Sequence, residues 1–147
     1  ARERPDTSDA SALVAGLEAY LEPLYPIVSR HGYSVEKLIG EGVAFFVLRD
    51  AGPAAGCGGV QLFGTHYGGL KRKYVRPQFR GRGFGRLILD RLAGHARSCG
   101  VQLLRLETGI HQHTAIALYE RAGFHSIPPF GEYKQDPLSR FYEKRIA

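Results

Sequence analysis

A glycine-rich turn between two periodic segments restricts the possible folds of this chain more than any other part of its sequence. The turn reads Arg80-Gly81-Arg82-Gly83-Phe84-Gly85. Residues 70–75 before it have the pattern of a strand, and residues 83–98 after it place apolar side chains on one helical face. The first amides of such a helix have no partner within the helix, and they carry a partial positive charge of about half an elementary unit. The sequence therefore predicts a turn that suits a phosphate group.

The residue types within the turn favour a phosphorylated ligand without identifying it. Glycine lets the backbone approach a ligand closely and adopt positive φ, and Arg80, Arg82 and Arg86 add charge that can answer a diphosphate. The same glycines would serve a tight turn that only packs a helix on a strand. The segment lacks the Lys and the Ser or Thr of a nucleotide P-loop, and it lacks the acidic residue expected of a dinucleotide site. The absence of these residues argues against both a P-loop nucleotide site and a dinucleotide site.

The other periodic segments predict a mixed β-sheet with helices on its faces. The predicted elements are a helix over 9–24, an antiparallel hairpin over 43–48 and 54–63, a strand over 101–106, a helix over 114–121 and a last edge strand over 141–145. Because a strand, a helix and a strand follow one another around the glycine turn, we expect parallel pairing with a right-handed crossover. The 147 residues contain no linker or repeat, which indicates a single α/β (α+β) domain over 1–147.

The charge distribution predicts an anionic partner. The formal net charge is +6, and Lys and Arg concentrate between residues 71 and 91. A multiply phosphorylated cofactor, a nucleic acid or an acidic lipid head group would each fit such a field. A solvated basic face without any partner would produce the same pattern, so charge alone does not choose among these possibilities.

The cysteines, the histidines and the apolar runs bear on metals and on location. Cys57 and Cys99 show neither CxxC nor Cys/His ligand spacing, so we expect no metal and a reduced, cytoplasmic location. His111 and His113 alternate around Gln112, but this set lacks a third close carboxylate or thiol. No apolar run approaches the roughly 18 to 20 residues of a membrane helix, and the first residues lack the apolar region of a signal peptide. We therefore expect no membrane partner.

Taken together, these features resemble the GNAT superfamily of N-acetyltransferases. The family signature, R/Q-x-x-G-x-G/A, is met from Arg80 to Gly85, and a second family-like element runs over residues 115–124. The resemblance covers roughly residues 43–130. It implies an acetyl-CoA-dependent N-acetyltransferase with acetyl-CoA as co-substrate, a central mixed splayed β-sheet, and an acceptor that is a small-molecule amine or a protein amino group. Such relatives commonly dimerise, so a homodimer is an expectation by resemblance only.

The resemblance also assigns residues to the cofactor. The pantetheine arm would run as an extra strand along the backbone of Tyr74 and Val75. The other cofactor-binding candidates are the turn that would hold the diphosphate and two residues at the short helix: Arg80, Gly81, Arg82, Gly83, Phe84, Gly85, Arg86, Gln112 and Ala115. Gln112 stands where the family has an asparagine, and its longer side chain changes the contact that it could make with the arm.

The same resemblance names catalytic candidates. Tyr119 matches the family tyrosine that acts as general acid for the departing thiolate, although a helical tyrosine of this kind can also be an ordinary core residue. Many relatives carry a glutamate that acts as general base where this chain has Gly69. An alkylammonium with a pKa near 10.4 is rarely deprotonated at neutral pH, a handicap of roughly 4 to 5 kcal/mol, so some group should receive its proton. Glu107 is the first candidate, with His111 and His113 behind it.

The acceptor pocket is predicted less specifically. By resemblance, Tyr25, His31, Glu107 and Tyr133 are the substrate-binding candidates. Nothing in the sequence selects among polyamines, antibiotics, amino acids and protein amino groups.

Two alternative functions also follow from the sequence. The absence of a carboxylate at Gly69 would suit a non-catalytic acetyl-CoA-binding sensor. The glycine turn also looks like a short RGG segment of an RNA-binding module. RGG tracts are repetitive and disordered, whereas this single copy leads into an amphipathic helix. We therefore expect no nucleic-acid partner.

Overall fold

The computed structural model describes residues 1–29, 32–131 and 133–146. Within these ranges the helices are α1 (Ser8–Leu21), α2 (Val35–Gly40), α3 (Phe84–Ser98) and α4 (His113–Arg121), and the strands are β1 (Ala44–Arg49), β2 (Ala54–Phe63), β3 (Tyr67–Val75), β4 (Leu103–Gly109), β5 (His125–Ile127) and β6 (Ser139–Arg145). One sheet holds these strands in the order β1-β2-β3-β4-β6-β5. Neighbours are antiparallel except for the parallel pair β3 and β4. This mixed sheet flanked by helices confirms the predicted α/β class.

The structure corrects two predicted elements. The first helix ends at Leu21 rather than at residue 24, because Pro23 has no amide hydrogen to continue the helical hydrogen bonds. The strand predicted as the last edge of the sheet is β6, and it is not an edge, since β5 pairs with its outer side. With three residues, β5 is too short to produce a periodic pattern in the sequence.

Two apolar layers cover the sheet. Helices α3 and α4 pack on one face, where Leu92 and Leu104 are completely buried. Helices α1 and α2 pack on the other face, where Leu13 and Leu38 are also completely buried. Each such side chain contributes roughly 1.5 to 3 kcal/mol relative to an exposed position. Because helices pack on both faces of the sheet, the groups at the ends of the central strands β3 and β4 are fixed in place.

Strands β3 and β4 pair only at their beginnings and then part. The paired residues are Gly68 with Leu104 and Gly69 with Arg105, and both strands continue for several residues beyond this point. In β3 the register against β2 shifts by one residue near Arg72, whose φ is 55°. A β-bulge of this kind bends the strand that contains it. The bend and the short pairing produce a fork between the two central strands, which confirms the splayed sheet.

The side chain of Arg72 connects the bulge to the elements on the α1 face. Its side chain is almost fully buried, its Nε donates to the carbonyl of Tyr33 at 2.8 Å, and its guanidinium forms an ion pair with Glu18 on α1. A charged group in this position is stable only when it is paired and hydrogen-bonded. The bulge, α1 and the segment before α2 therefore form one connected unit.

Candidate active site

The fork between β3 and β4 opens into a cleft of about 720 Å³, its open mouth included. Side chains from both faces of the sheet line it, among them Tyr25, Lys71, Lys73, Glu107, Tyr119 and Tyr133. Tyr119 comes from α4 on one face, while Tyr25 follows α1 on the other. The cleft therefore connects the two faces of the sheet through the fork.

The glycine turn lies where β3 leads into α3, as predicted. Gly81 and Gly83 have left-handed φ angles of 81° and 78°, a conformation that residues with a Cβ adopt at a cost. Gly83 is the N-cap of α3, and no side chain caps that helix. Within the described part of the chain, the N–H groups of residues 81–86 donate to neither a backbone nor a side-chain acceptor. These amides fit an anionic ligand such as the diphosphate of acetyl-CoA.

The arginines of the turn contribute less free charge than the sequence suggests. Arg82 forms an ion pair with Asp50 at 2.6 Å, and Arg86 forms one with Asp90 at 3.1 Å. Arg80 turns back, so that its Nε donates to the carbonyl of Val75 at 3.0 Å. Two of the three guanidiniums thus have a carboxylate partner, and the Val75 carbonyl, proposed for the pantetheine arm, is already an acceptor.

The remaining cofactor candidates lie beside the fork. The side chain of Tyr74 is buried in the core on the α1 face, so only its backbone is available to a ligand along β3. The Oε1 atom of Gln112 accepts from the amide of Gly109 at 2.8 Å, which closes the turn before α4. Ala115 lies in the first turns of α4 and packs against the core on the α3 face. Their roles toward the cofactor stay predictions.

Tyr119 occupies the cleft from the α4 side. It is 6% exposed, and its ring contacts Phe124 edge to face at a centroid distance of 5.7 Å. Burial raises the pKa of Tyr119 well above its usual value, and the charge of Glu107 raises that pKa further. The hydroxyl is therefore protonated at neutral pH, as a proton donor must be.

Glu107 lies on β4 beyond the last pair that this strand makes with β3. Its Oε2 accepts from the hydroxyl of Ser139 on β6 at 2.8 Å. Its charge also raises the pKa values of Tyr25 and Tyr133, for which burial is the larger cause. One carboxylate thus acts on tyrosines from three separate parts of the chain, so Glu107 lies at the centre of the cleft's electrostatics.

The described acceptor candidates on the α1 face, Tyr25 and Tyr133, form part of the cleft wall. The hydroxyl of Tyr25 accepts from the amide of His111 at 2.9 Å, and a Cβ on Gly109 would overlap its ring. The hydroxyl of Tyr133 accepts from Nζ of Lys71 at 3.1 Å. His31, the remaining acceptor candidate, lies outside the described residues.

The two histidines considered as alternative bases lie at the rim. His111 and His113 are both exposed, in the turn before α4 and at its first residue. The structure therefore brings Glu107 and Tyr119 to one cleft and leaves these histidines on its outside.

Reasoning from the sequence missed two residues that line the cleft and one that hydrogen-bonds to Glu107. They are Lys71, Lys73 and Ser139. The two lysines had a usable signal, since a charged residue in a strand that is otherwise buried usually has a specific partner. Ser139 had none, because its approach to Glu107 depends on the pairing of β4 with β6.

The described residues also bear on metal ions and membranes. No group of three or more His, Cys, Asp or Glu residues is placed to hold a metal ion in the described part of the chain. None of the described helices combines the length and the apolar character needed to cross a membrane.

Comparison with known proteins agrees with the fold. The profile described as "Acetyltransferase (GNAT) family" matches residues 13–124. The "IAA acetyltransferase" of Azospirillum brasilense is 41% identical over 147 residues, which cover 99% of this chain and 96% of that protein. A crystal structure from Klebsiella pneumoniae, described as an acyl-CoA N-acyltransferase, has a TM-score of 0.85 at 37% identity and covers 100% of this chain and 96% of its own.

A more distant structure adds a bound ligand to this comparison. The PaiA N-acetyltransferase of Thermoplasma acidophilum, solved in complex with coenzyme A, has a TM-score of 0.75 at 17% identity over 99% of this chain and 98% of its own. Its likeness concerns the fold. The family match and the relatives together show that the chain belongs to the acetyltransferase (GNAT) family. It is an N-acetyltransferase that uses acetyl-CoA as co-substrate.

Proposed function

We propose that this enzyme transfers the acetyl group to a primary amine by direct attack within a ternary complex, with Tyr119 as the general acid. The observation that carries the proposal is that Glu107 and Tyr119 line one cleft at the fork of the sheet. The cofactor would approach from the glycine turn, and the amine from the α1 face. The amine nitrogen would form its bond to the carbonyl carbon as the carbon–sulfur bond breaks.

The leaving thiolate needs a proton, and Tyr119 is suited to supply it. The raised pKa of Tyr119 keeps its hydroxyl protonated at neutral pH, so that it can donate to the sulfur as the carbon–sulfur bond breaks. A positioned proton donor contributes typically 10²- to 10⁴-fold to the rate. Tyr119 would regain its proton from solvent once the products leave.

The attacking nitrogen must lose protons, and Glu107, a carboxylate that lines the cleft, is suited to receive one. It lies inside the cleft, whereas His111 and His113 are exposed at the rim. Glu107 would also attract the acceptor ammonium before attack. A carboxylate on β4 thus supplies what Gly69 on β3 lacks, which favours an enzyme over a sensor that binds without turnover.

Two observations bear on the acceptor. The cleft wall on the α1 face combines a carboxylate with tyrosine hydroxyls, from Glu107, Tyr25 and Tyr133, which suits a group that carries N–H donors. The name of the Azospirillum relative refers to IAA, so IAA belongs among the first compounds to test. The lining of the cleft supports an amino acceptor held between Glu107 and the tyrosines.

The experiment is an acceptor screen that follows release of the CoA thiol. The purified protein is incubated with acetyl-CoA and, one at a time, polyamines, aminoglycosides, amino acids, peptides with free N-termini, and IAA. We expect at least one amine to raise thiol release above the reaction without acceptor, and mass spectrometry to show an added acetyl group on nitrogen. Acetyl-CoA binding without thiol release for any compound would favour the sensor, and acetylation only at oxygen would overturn the amine assignment.

A further inference from the structure

Lys73 lies at the fork, and no carboxylate of the described residues pairs with its charge. It lies on β3, and its Nζ is 3.3 Å from the place that a Cβ on Gly85 would occupy. The same Nζ is 5.4 Å from the centre of the Tyr119 ring. Among the described residues, Lys73 forms neither an ion pair nor a side-chain hydrogen bond. Its ammonium therefore sits between the first turn of α3 and α4 without a counter-ion.

The surroundings of Lys73 disfavour its charged form in the protein without a ligand. Burial is the main cause that lowers the pKa of Lys73, to about 8, and the positive charge of Arg80 lowers it as well. The first amides of α3 add further positive potential at the same place. The nearby arginines Arg82 and Arg86 already have carboxylate partners. Such a concentration of positive charge is stabilised when a multiply charged anion binds there.

We propose that the ammonium of Lys73 binds the diphosphate of acetyl-CoA together with the amides of residues 81–86. This inference rests on the cofactor use described above, and it adds a side chain that the glycine signature does not contain. The diphosphate suits this position because Nζ lies beside Gly85, in the first turn of α3. A rival partner for the same ammonium is the thiolate that forms near Tyr119, and the experiment distinguishes the two.

The proposal predicts how cofactor affinity depends on pH. The ionisable groups around Lys73 are Cys57 on β2, Arg80 in the turn and Tyr119 on α4. Burial raises the pKa of Cys57 to about 12, and the pKa of Tyr119 is raised as well, so neither loses its proton near pH 8. In the free protein Lys73 is charged below pH 8, and a bound anion raises its pKa. Affinity is therefore full below pH 8 and falls as the pH rises above it.

The test is calorimetric titration with CoA and with desulfo-CoA, which keeps the diphosphate but lacks the thiol. Lys73→Met keeps the length of the side chain and removes the charge, and Lys73→Arg keeps the charge. Lys37→Met, on the exposed surface of α2, is the matched control. We expect Lys73→Met to weaken both ligands equally, by roughly 10- to 100-fold, because hydrogen bonds to charged groups are of that strength. Lys73→Arg should restore most of the affinity, and Lys37→Met should change it less than about twofold.

The pH arm uses desulfo-CoA, because this ligand has no thiol that titrates. We expect wild-type affinity to fall roughly 10-fold between about pH 7 and about pH 9.5, and the affinity of Lys73→Met to change little. Weakened binding of CoA with unchanged binding of desulfo-CoA would assign Lys73 to the thiolate and overturn the proposal. Equal affinities of Lys73→Met and wild type for both ligands would also overturn it. If the wild type bound neither ligand, the cofactor assignment itself would fail.

Discussion

The proposed cofactor site at the start of α3 is built mainly from backbone groups, whereas the proposed acceptor side of the cleft is built from side chains that come from separate parts of the chain. The amides of residues 81–86 follow one another in a single turn. The proposed acceptor wall combines Tyr25 after α1, Glu107 on β4 and Tyr133 before β6. A backbone site depends on local conformation, while a side-chain site depends on how distant elements pack. Cofactor binding should therefore respond to glycine substitutions, and acceptor turnover to side-chain chemistry.

The largest effect is expected from Gly83→Val. A β-branched residue is strained at the φ of 78° that Gly83 adopts, by roughly 1 to 3 kcal/mol, and relief of that strain would turn the amides away from the ligand. We expect CoA affinity to fall by about 100-fold or more in calorimetric titration. Gly42→Val is the matched control, since Gly42 has a φ of 67°, lies in open space and does not line the cleft. If both variants bound CoA as the wild type does, the turn would not be the diphosphate site.

A smaller effect, confined to turnover, is expected from Tyr119→Phe. The substitution keeps the ring that packs against Phe124 and removes the proton donor. We expect kcat to fall by roughly 100-fold and CoA affinity to change less than about twofold. The control is Tyr142→Phe, which removes a hydroxyl that donates to Glu120 instead of facing the cleft. Unchanged kcat in Tyr119→Phe would remove this tyrosine from the mechanism, whatever the control does.

The smallest of the three effects is expected from Glu107→Gln, on the acceptor side. We expect kcat/KM for the amine to fall by roughly 10- to 100-fold, with CoA affinity unchanged. Since the charge of Glu107 raises the pKa of Tyr119, its removal lowers that pKa and should move any alkaline loss of turnover to lower pH. Glu143→Gln is the control, because Glu143 lies on β6 and pairs with Arg105. A variant that kept full activity and an unchanged pH profile would exclude Glu107 as base.

The same contrast explains how far the sequence alone could lead. The turn, the helix after it and the hairpin of β1 and β2 were predictable because each depends on residues close together in the chain. The ion pairs of Arg82 with Asp50 and of Arg72 with Glu18 join residues that are far apart in the sequence, so no local sequence pattern predicts them. Periodicity placed Glu107 just after a strand predicted over 101–106, whereas the structure extends that strand, β4, to Gly109 and includes Glu107 in it. Its contact with Ser139 was not predictable, because that contact needs the register of β4 against β6.

The central claim is that free main-chain amides at the start of α3 hold the diphosphate of acetyl-CoA, and amide resonances report on it most directly. Isotope-labelled protein is titrated with CoA while the backbone N–H signals are followed by NMR. We predict that the largest shifts fall on Gly81, Gly83, Phe84 and Gly85, whose N–H groups have no acceptor in the described part of the chain. Saturable binding of CoA with these four signals unmoved would contradict the account.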